Sequence, residues 1–172
     1  GKSKHHYNKD TAASLSSIFN AARLYIDAGI HVLPLNGNKE PIAKAYNDRD
    51  FTADEIRQSG AKGIGTCPGR WQPFQVMVFD LDGPEGRESW MGCQFDIGPI
   101  PPTHSVKTGR PDGGEHFYFR VPDDLYIKTT VKQFAPGVDI KGTRGQAVLP
   151  PTRHRTGKVY QWHWDGQPTD GQ

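Results

Sequence analysis

The sequence predicts a mixed α/β or α+β domain, and three observations lead to this class. Near the N-terminus five apolar residues repeat at the spacing of an amphipathic helix: Leu15, Ile18, Phe19, Ala22 and Ile26. At residues 76–83 the run VMVFDLDG is apolar on both faces up to Asp80, which is typical of a buried strand. The second half consists mostly of short strand-like segments between glycine and proline turns.

Length and composition limit the organisation. The 172 residues fit one domain or one domain of two lobes, with 1–10 expected to be disordered or tag-derived, 11–165 folded, and 166–172 frayed or the start of a linker. The net charge of +2 permits a nucleic-acid partner without indicating one.

Cysteine spacing and hydropathy argue against a zinc site and against a membrane-spanning segment. Cys67 and Cys93 stand far apart with no paired cysteine spacing, so no zinc is expected and a reduced intracellular protein is the simplest interpretation. No stretch reaches the roughly 20 apolar residues of a membrane span, so no membrane partner is expected.

The remaining elements follow in order along the chain. A helix is predicted over 11–28 with Gly29 past its end, a strand over 30–35 closed by Pro34, and a short helix to Ser59 opened by a capping box from Thr52 to Glu55. No element is assigned to the glycine-rich stretch 60–70. The later predictions are a strand over 75–82, a helix over 84–95, an extended segment over 104–108, and strands over 115–121, 138–141, 146–149 and 159–164.

Asp80 and Asp82 form the first group with chemical potential. Two residues apart on a strand, their side chains share one face and can converge on a hard cation such as Mg²⁺ or Mn²⁺. Two alternatives stay open: a solvated turn at a strand end, and the aspartyl-nucleophile motif DxDG of haloacid-dehalogenase-type phosphatases. The phosphatase motif normally opens its domain and has Thr after the glycine, whereas Pro84 stands here.

The second group lies in HSVKTGRPDGGEHFYF, residues 104–119. Lys107 and Arg110 flank a glycine turn, and exposed backbone N–H groups beside cations can form a phosphate site. Gly114 leads into a strand on which His116 and Tyr118 share a face. An ordinary hairpin with surface cations explains the same pattern.

The third group lies in PGVDIKGTRGQAVLPPTRH, residues 136–154. Asp139 sits between two apolar residues and needs a partner, because burying a lone charge is unfavourable. A metal shared with Asp80 and Asp82 would supply one. A salt bridge to Lys141 or Arg144 would do so equally well.

These blocks, in the order DxD, GGxHxYF and GVDIKG…PPxxH…GxxYxW, resemble the bifunctional primase–polymerase domain of the archaeo-eukaryotic primase superfamily, of the type found in phage and plasmid replication proteins. AGIHVLPL and GIGTCPG upstream extend the resemblance over roughly residues 12–164. It implies an archaeo-eukaryotic primase-like fold: an N-terminal αβ lobe and a lobe with an antiparallel sheet like that of an RNA-recognition motif, with the active site in the cleft between them.

The resemblance also implies roles for single residues. Asp80, Asp82 and Asp139 match the family's metal-binding carboxylates, although many members have Glu at the second position. His116 matches the histidine that contacts the nucleotide triphosphate, and Gly114 stands where Ser is frequent. Four residues in matching or neighbouring segments are candidate nucleotide contacts: Lys107, Arg110, Gly114 and Lys141.

The implied function is template-dependent nucleotidyl transfer, as a DNA primase, a DNA polymerase or both, with two Mg²⁺ or Mn²⁺ ions. The implied partners are single-stranded DNA template and primer, dNTP or NTP, and a helicase domain located C-terminally in the full-length protein. The implied location is the cytoplasm of a bacterial host. The alternative from another class is a non-catalytic module for single-stranded DNA binding or replication initiation, which the three carboxylates disfavour because clustered negative charge repels a phosphate backbone.

Overall fold

The computed structural model describes residues 17–163, which form two antiparallel sheets and three α-helices within that range. The helices are α1 (Ile18–Asp27), α2 (Ala53–Gln58) and α3 (Gly83–Ile97), with 3₁₀ turns at Tyr46–Asp48 and Pro68–Arg70. The strands are β1 (Leu33–Leu35), β2 (Gly63–Thr66), β3 (Val76–Asp82), β4 (Ser105–Lys107), β5 (Gly114–Arg120), β6 (Thr130–Ala135), β7 (Val138–Lys141), β8 (Ala147–Val148) and β9 (Gln161–His163).

The first lobe packs α1 and α2 on a three-stranded sheet of order β1-β2-β8. The hydroxyl of Ser17 caps α1 by accepting from the N–H of Phe19 at 3.3 Å. The predicted capping box is present at α2, where Thr52 and Glu55 each accept from the other's backbone N–H. One continuous apolar cluster joins these elements, with fully buried side chains such as Leu33, Ile56 and Ile64. The C-terminal part of the chain returns to this lobe as β8.

The second lobe is a six-stranded sheet of order β6-β7-β3-β5-β4-β9, with every neighbouring pair antiparallel. Helix α3 covers one face, where Trp90 stacks on Phe117 at a centroid distance of 5.2 Å. The opposite face carries Val78 and Tyr118, which pack with Tyr160 in a second cluster. Strand β3 is therefore central and buried on both sides, as its apolar run predicts.

The structure confirms the α+β class and most predicted elements, with three corrections. Pro34 lies inside β1 rather than closing it. Strand β2 runs through the glycine-rich stretch 60–70, and strand β6 forms where the sequence predicts no strand. Helix α1 begins at Ile18 and is capped by Ser17; the predicted start at 11, and the proposed ends 1–10 and 166–172, lie outside the described residues.

Among residues 17–163, no helix is both long and apolar enough to cross a bilayer.

Candidate active site

Three of the predicted site residues form one row across the middle of the large sheet. On the central strand β3, Asp80 lies directly opposite His116 of β5 on one side and Asp139 of β7 on the other. Residues paired in this way point to the same face of an antiparallel sheet. That face is the one turned away from α3, so the row lies on the side of the sheet where the two lobes meet.

Asp82 shares the face of Asp80 and lies opposite Gly114 of β5. A side chain at position 114 would overlap the hydroxyl of Thr108, so the strand can approach its neighbour here only with glycine. Arg110, in the turn before β5, reaches back over this end of the sheet. Its Nη1 lies 3.1 Å from Oδ1 of Asp82, and its Nε lies 2.5 Å from Oδ1 of Asp112.

The pKa values of Asp80 and Asp82 are shifted in opposite directions. Burial disfavours the charged form of Asp80, but nearby His116 and the cations Lys141 and Arg110 outweigh burial, so the pKa of Asp80 lies below its ordinary value. Burial and the adjacent Asp80 together raise the pKa of Asp82, with Asp139 adding to the effect and Arg110 opposing it. The carboxylates are therefore close enough to repel one another, which is the setting in which a bound cation is stabilised.

Each carboxylate has its own protein partner. Nε2 of His116 lies 3.4 Å from Oδ1 of Asp80, and the backbone N–H of Lys132 donates to Oδ1 of Asp139 at 2.8 Å. Arg110 contacts Asp82. Within residues 17–163, no three Asp, Glu, His or Cys side chains are arranged to hold a metal ion. The strand positions suit a shared oxygen site, and metal binding requires the carboxylates to exchange these partners for the ion.

Among the described residues, no ion pair joins Asp139 to either of the two cations considered for it, Lys141 and Arg144. Arg144 pairs instead with Asp48, at 2.5 Å between Nη1 and Oδ1. Asp139 is 8% exposed and is held by the bulged edge strand through the N–H of Lys132.

The candidate phosphate contacts fall into two places. Lys141 lies opposite Val78 on the face of Asp80, so it stands beside the carboxylate row. Lys107 lies opposite Glu115, on the other face from His116. Lys107 lines a cavity of about 640 Å³ together with Gly114 and Arg110, the arginine that contacts Asp82, and we call it the Gly114-side cavity. Its lining includes four cations and one carboxylate together with Gly114: Arg87, Lys107, Arg110, Lys158 and Glu115.

His116 keeps one unused nitrogen. The side chain is 5% exposed, and its Nδ1 has no hydrogen-bond partner among the described residues. An unpaired buried polar atom is costly, so a ligand that accepts or donates a hydrogen bond here stabilises the site.

Three residues around the row were given no role from the sequence. The Tyr160 hydroxyl accepts from Nζ of Lys39 at 3.3 Å, and the Tyr160 ring lies 6.0 Å from those of both His116 and His154. Burial, with Asp80 and Asp82 nearby, raises the pKa of Tyr160 to about 12, so it is a neutral donor at neutral pH. His154 and Tyr160 do belong to the quoted PPxxH…GxxY pattern, whereas Lys39 stands in a loop with no signal beyond its charge.

Comparison with known families agrees with this geometry. The family model described as "Bifunctional DNA primase/polymerase, N-terminal" matches residues 22–170, nearly the whole chain. No curated protein matches the chain. Members of the matched family generally use divalent metals. An α+β fold of two antiparallel sheets, a row of carboxylates on the face between the lobes, and this match lead to one conclusion: the chain belongs to the family of bifunctional DNA primase/polymerase N-terminal domains.

Proposed function

We propose that the chain catalyses template-dependent nucleotidyl transfer, with Asp80, Asp82 and Asp139 holding two divalent ions, Mg²⁺ or Mn²⁺. The observation that carries the proposal is the register of β7, β3 and β5, which sets Asp139, Asp80 and His116 in one row with Asp82 on the same face. Family membership makes a DNA primase or polymerase the reaction class. The phosphatase interpretation of DxDG is not retained.

The reaction transfers a nucleotidyl group to a 3′-hydroxyl. A bond forms between the 3′-oxygen and the α-phosphorus, the bond to the bridging oxygen of the β-phosphate breaks, pyrophosphate leaves, and the hydroxyl proton passes to solvent. Two divalent ions, when bound, stabilise the attacking and leaving oxygens of such an in-line displacement. The task of the three aspartates is to place oxygen ligands on one side of the α-phosphate.

The Gly114-side cavity suits the β- and γ-phosphates of the nucleotide, which leave as pyrophosphate. Four cations against one carboxylate make it electropositive, and charged side chains of this kind form strong hydrogen bonds to phosphate oxygens. Lys107 and Arg110 line it, and Lys141 faces the row from the other side. His116 contributes through its unpaired Nδ1 or, once Asp80 binds an ion, through Nε2.

The decisive experiment removes the central carboxylates. In a primer-extension assay with Mn²⁺, we expect Asp80→Asn, and the double variant Asp80→Ala/Asp82→Ala, to lose activity by a factor on the order of a hundred or more, because a bound ion contributes several kcal/mol to the transition state. Asp96→Asn, an exposed carboxylate on α3, is the matched control and should retain activity. Circular dichroism checks that each variant folds.

Undiminished incorporation by the double variant would refute the assignment. Calorimetric titration with Mn²⁺, with and without nucleotide, separates the proposal from its rival. If the wild-type protein binds single-stranded DNA but neither metal nor nucleotide, it is a non-catalytic DNA-binding or replication-initiator module on the same fold.

The biological setting is part of the same proposal. We infer a role in phage or plasmid DNA replication in a bacterial cytoplasm, with a C-terminal helicase domain in the full-length protein. The support for this setting is the resemblance of the ordered sequence blocks to replication proteins of that type.

A further inference from the structure

A second polar cavity lies on the β7 side of the carboxylate row, away from the Gly114-side cavity. We call it the β7-side cavity; its volume is about 440 Å³. Its lining combines three cations, two phenol rings and one amide: Lys128, Lys141, Arg144, Tyr46, Tyr126 and Gln146. Cations interleaved with aromatic rings are the usual means of binding a single nucleic-acid strand, because the cations contact phosphates and the rings stack on bases.

The wall of this cavity is firmly built. The segment before β6 runs against the turn after β7, where the N–H of Gly142 donates to Oγ1 of Thr129 at 3.0 Å and the N–H of Thr143 donates to the carbonyl of Ile127 at 2.8 Å. A side chain at Gly142 would overlap the carbonyl oxygen of Ile127. Arg144 is fixed by its ion pair with Asp48 of the first lobe, so it shapes the cavity rather than serving as its free cation.

Two side chains of the β7-side cavity are exposed to a ligand, and a third carries an unpaired donor. Nε2 of Gln146 is a buried donor with no acceptor among the described residues, and it lies against Gly65 of β2, so the amide has to turn to reach a ligand. Tyr126 is 63% exposed, so its ring offers a stacking surface, and Lys128 is exposed beside it. A ligand that carries acceptor atoms, negative charge and a flat ring matches all three, and a nucleotide unit of a DNA strand has each of them.

The position of the cavity decides which nucleotide it takes. In the order β7-β3-β5-β4 of the large sheet, Lys141 stands on the β7 side of Asp80, whereas Gly114 and Lys107 stand on the β5 and β4 side. The attacking and leaving oxygens of phosphoryl transfer are roughly in line through the phosphorus. If the leaving pyrophosphate occupies the Gly114-side cavity, the attacking 3′-oxygen has to approach from the β7 side.

We propose that the β7-side cavity binds the 3′-terminal nucleotide of the strand that is extended, with Lys128 on its phosphate, Tyr126 on its base and Nε2 of Gln146 on a base or sugar acceptor. This inference rests on the proposed function and specifies where its second substrate binds. It makes Tyr126 and Lys128 binding residues for the primer and not for the nucleotide.

The first test measures affinities of the double variant Tyr126→Ala/Lys128→Ala. Loss of one stacked base and one phosphate contact should raise the KM for a primed template, and the Kd of a fluorescent duplex with a recessed 3′ end, by about tenfold or more. The KM for nucleotide and the Kd for Mn²⁺ should stay within about twofold. The matched control is Lys62→Ala/Phe95→Ala, which removes an exposed cation and a 90% exposed aromatic elsewhere, and it should change none of these values.

The second test reads position directly and needs no activity. A primer with 4-thiothymidine at its 3′ end should photocrosslink to Tyr126, Tyr46 or their neighbours, as located by mass spectrometry. The same base placed in the template opposite that position should crosslink elsewhere.

The outcomes separate the two proposals. Unchanged DNA affinity in the Tyr126→Ala/Lys128→Ala variant, or a β7-side adduct formed only from the template base, overturns the primer assignment while incorporation by the wild-type protein leaves the proposed function intact. A rise in the KM for nucleotide alone would show that the nucleotide occupies this cavity. Failure of the wild-type protein to incorporate nucleotide refutes the proposed function, and the Kd and crosslinking measurements still decide whether a 3′ end binds here.

Discussion

Arg110 is placed to oppose the binding of a metal ion and to favour the binding of nucleotide phosphates. Its guanidinium touches Asp82 and Asp112, and it partly offsets the rise in the pKa of Asp82 that burial and Asp80 cause. Arg110 therefore places a cation beside the carboxylates where an ion is proposed to bind. The same cation lines the cavity proposed for phosphates.

We expect Arg110→Ala to change the two affinities in opposite directions. Removal of a positive neighbour should tighten Mn²⁺ binding by a few-fold, because partly exposed ion pairs contribute up to about 1 kcal/mol. Nucleotide affinity, measured in the same calorimetric titrations, should fall. Arg23→Ala, an exposed arginine on α1, is the control. Weaker Mn²⁺ binding by the Arg110 variant would show that the arginine supports the carboxylates instead of competing at them.

His31 predicts how stability depends on pH. The N–H of Cys67 donates to its Nδ1 at 3.1 Å, so Nε2 carries the proton and donates to the carbonyl of Arg49 at 2.8 Å. This neutral, buried ring has its pKa lowered, chiefly by burial. The unfolded chain therefore takes up a proton near pH 6.5, before the native state does, and stability falls as pH drops below that value.

We expect His31→Asn to flatten this dependence. Asparagine can still accept from the N–H of Cys67 but does not titrate. The free energy of unfolding in urea, measured between pH 7 and pH 5, should therefore fall less steeply than in the wild type, by at most about 1.4 kcal/mol per pH unit. If the substitution lowers the free energy of unfolding by the same amount at every pH, the comparison of the two pH dependences is unaffected. Equal slopes in the two proteins would show that His31 is not the titrating group.

At the scale of single residues, the sequence predicts those site residues that lie together in one strand. It does not predict those that the fold brings to the site from distant parts of the chain. Strand alternation predicts that Asp80 and Asp82 share one face of β3, and the register of β3 with β5 places them on one face. From the residues alone, closeness of Asp139 to this pair is one of two alternatives, and only the family resemblance favours it, since nothing local pairs β3 with β7. Lys39 reaches Tyr160 across 121 positions of sequence, and no spacing rule anticipates such a contact.

At the scale of elements, the missed strands have a common cause. Strand β2 reads GIGT, and its glycines are required because side chains at 63 and 65 would collide with Thr152 and Gln146 of the returning chain. Strand β6 is an edge strand with four exposed residues in its middle, so it lacks an alternating apolar pattern. Both strands are determined by their neighbours, whereas β3 carries its own burial signal.

The bulge in β6 holds Asp139 and carries its own strain. Lys132 has φ of 55°, a left-handed conformation, where the pairing of β6 with β7 shifts register. Its N–H donates to Asp139. Lys132→Gly keeps that N–H and relieves a strain of about 1 kcal/mol, so we expect unchanged or slightly higher stability in urea, with nucleotide incorporation retained.

Gln133→Gly is the matched control for the bulge. It lies next in the same exposed strand and has no left-handed φ, so glycine there should lower the free energy of unfolding by about 0.5–1 kcal/mol. Equal destabilisation by the two substitutions would contradict a left-handed Lys132.

At the scale of the whole molecule, the two lobes share their apolar cores. Val148 and Trp162 pack against the cluster of the first lobe and also against that of the large sheet. Trp162 lies on β9 at the edge of the large sheet, and its Nε1–H donates at 2.8 Å to the hydroxyl of Tyr25 on α1. That hydroxyl in turn donates to the carbonyl of Pro150 at 2.7 Å. The lobes that enclose the site are therefore expected to unfold together.

Trp162→Ala tests this coupling. Truncating a large aromatic at a shared core should lower the free energy of unfolding by about 3 kcal/mol, whereas Trp162→Phe, which keeps most of the packing but loses the hydrogen bond to Tyr25, should lower it by about 1 kcal/mol. Hydrogen exchange should accelerate in the alanine variant at amides of β1 and β2 as well as β4 and β5, because the cleft loses a contact common to both sheets. Phe95→Ala, at a 90% exposed position, should change stability by less than about 0.5 kcal/mol. Faster exchange confined to β4 and β9 would show instead that the first lobe is stable by itself, and the geometry of the cleft would then depend on bound substrate.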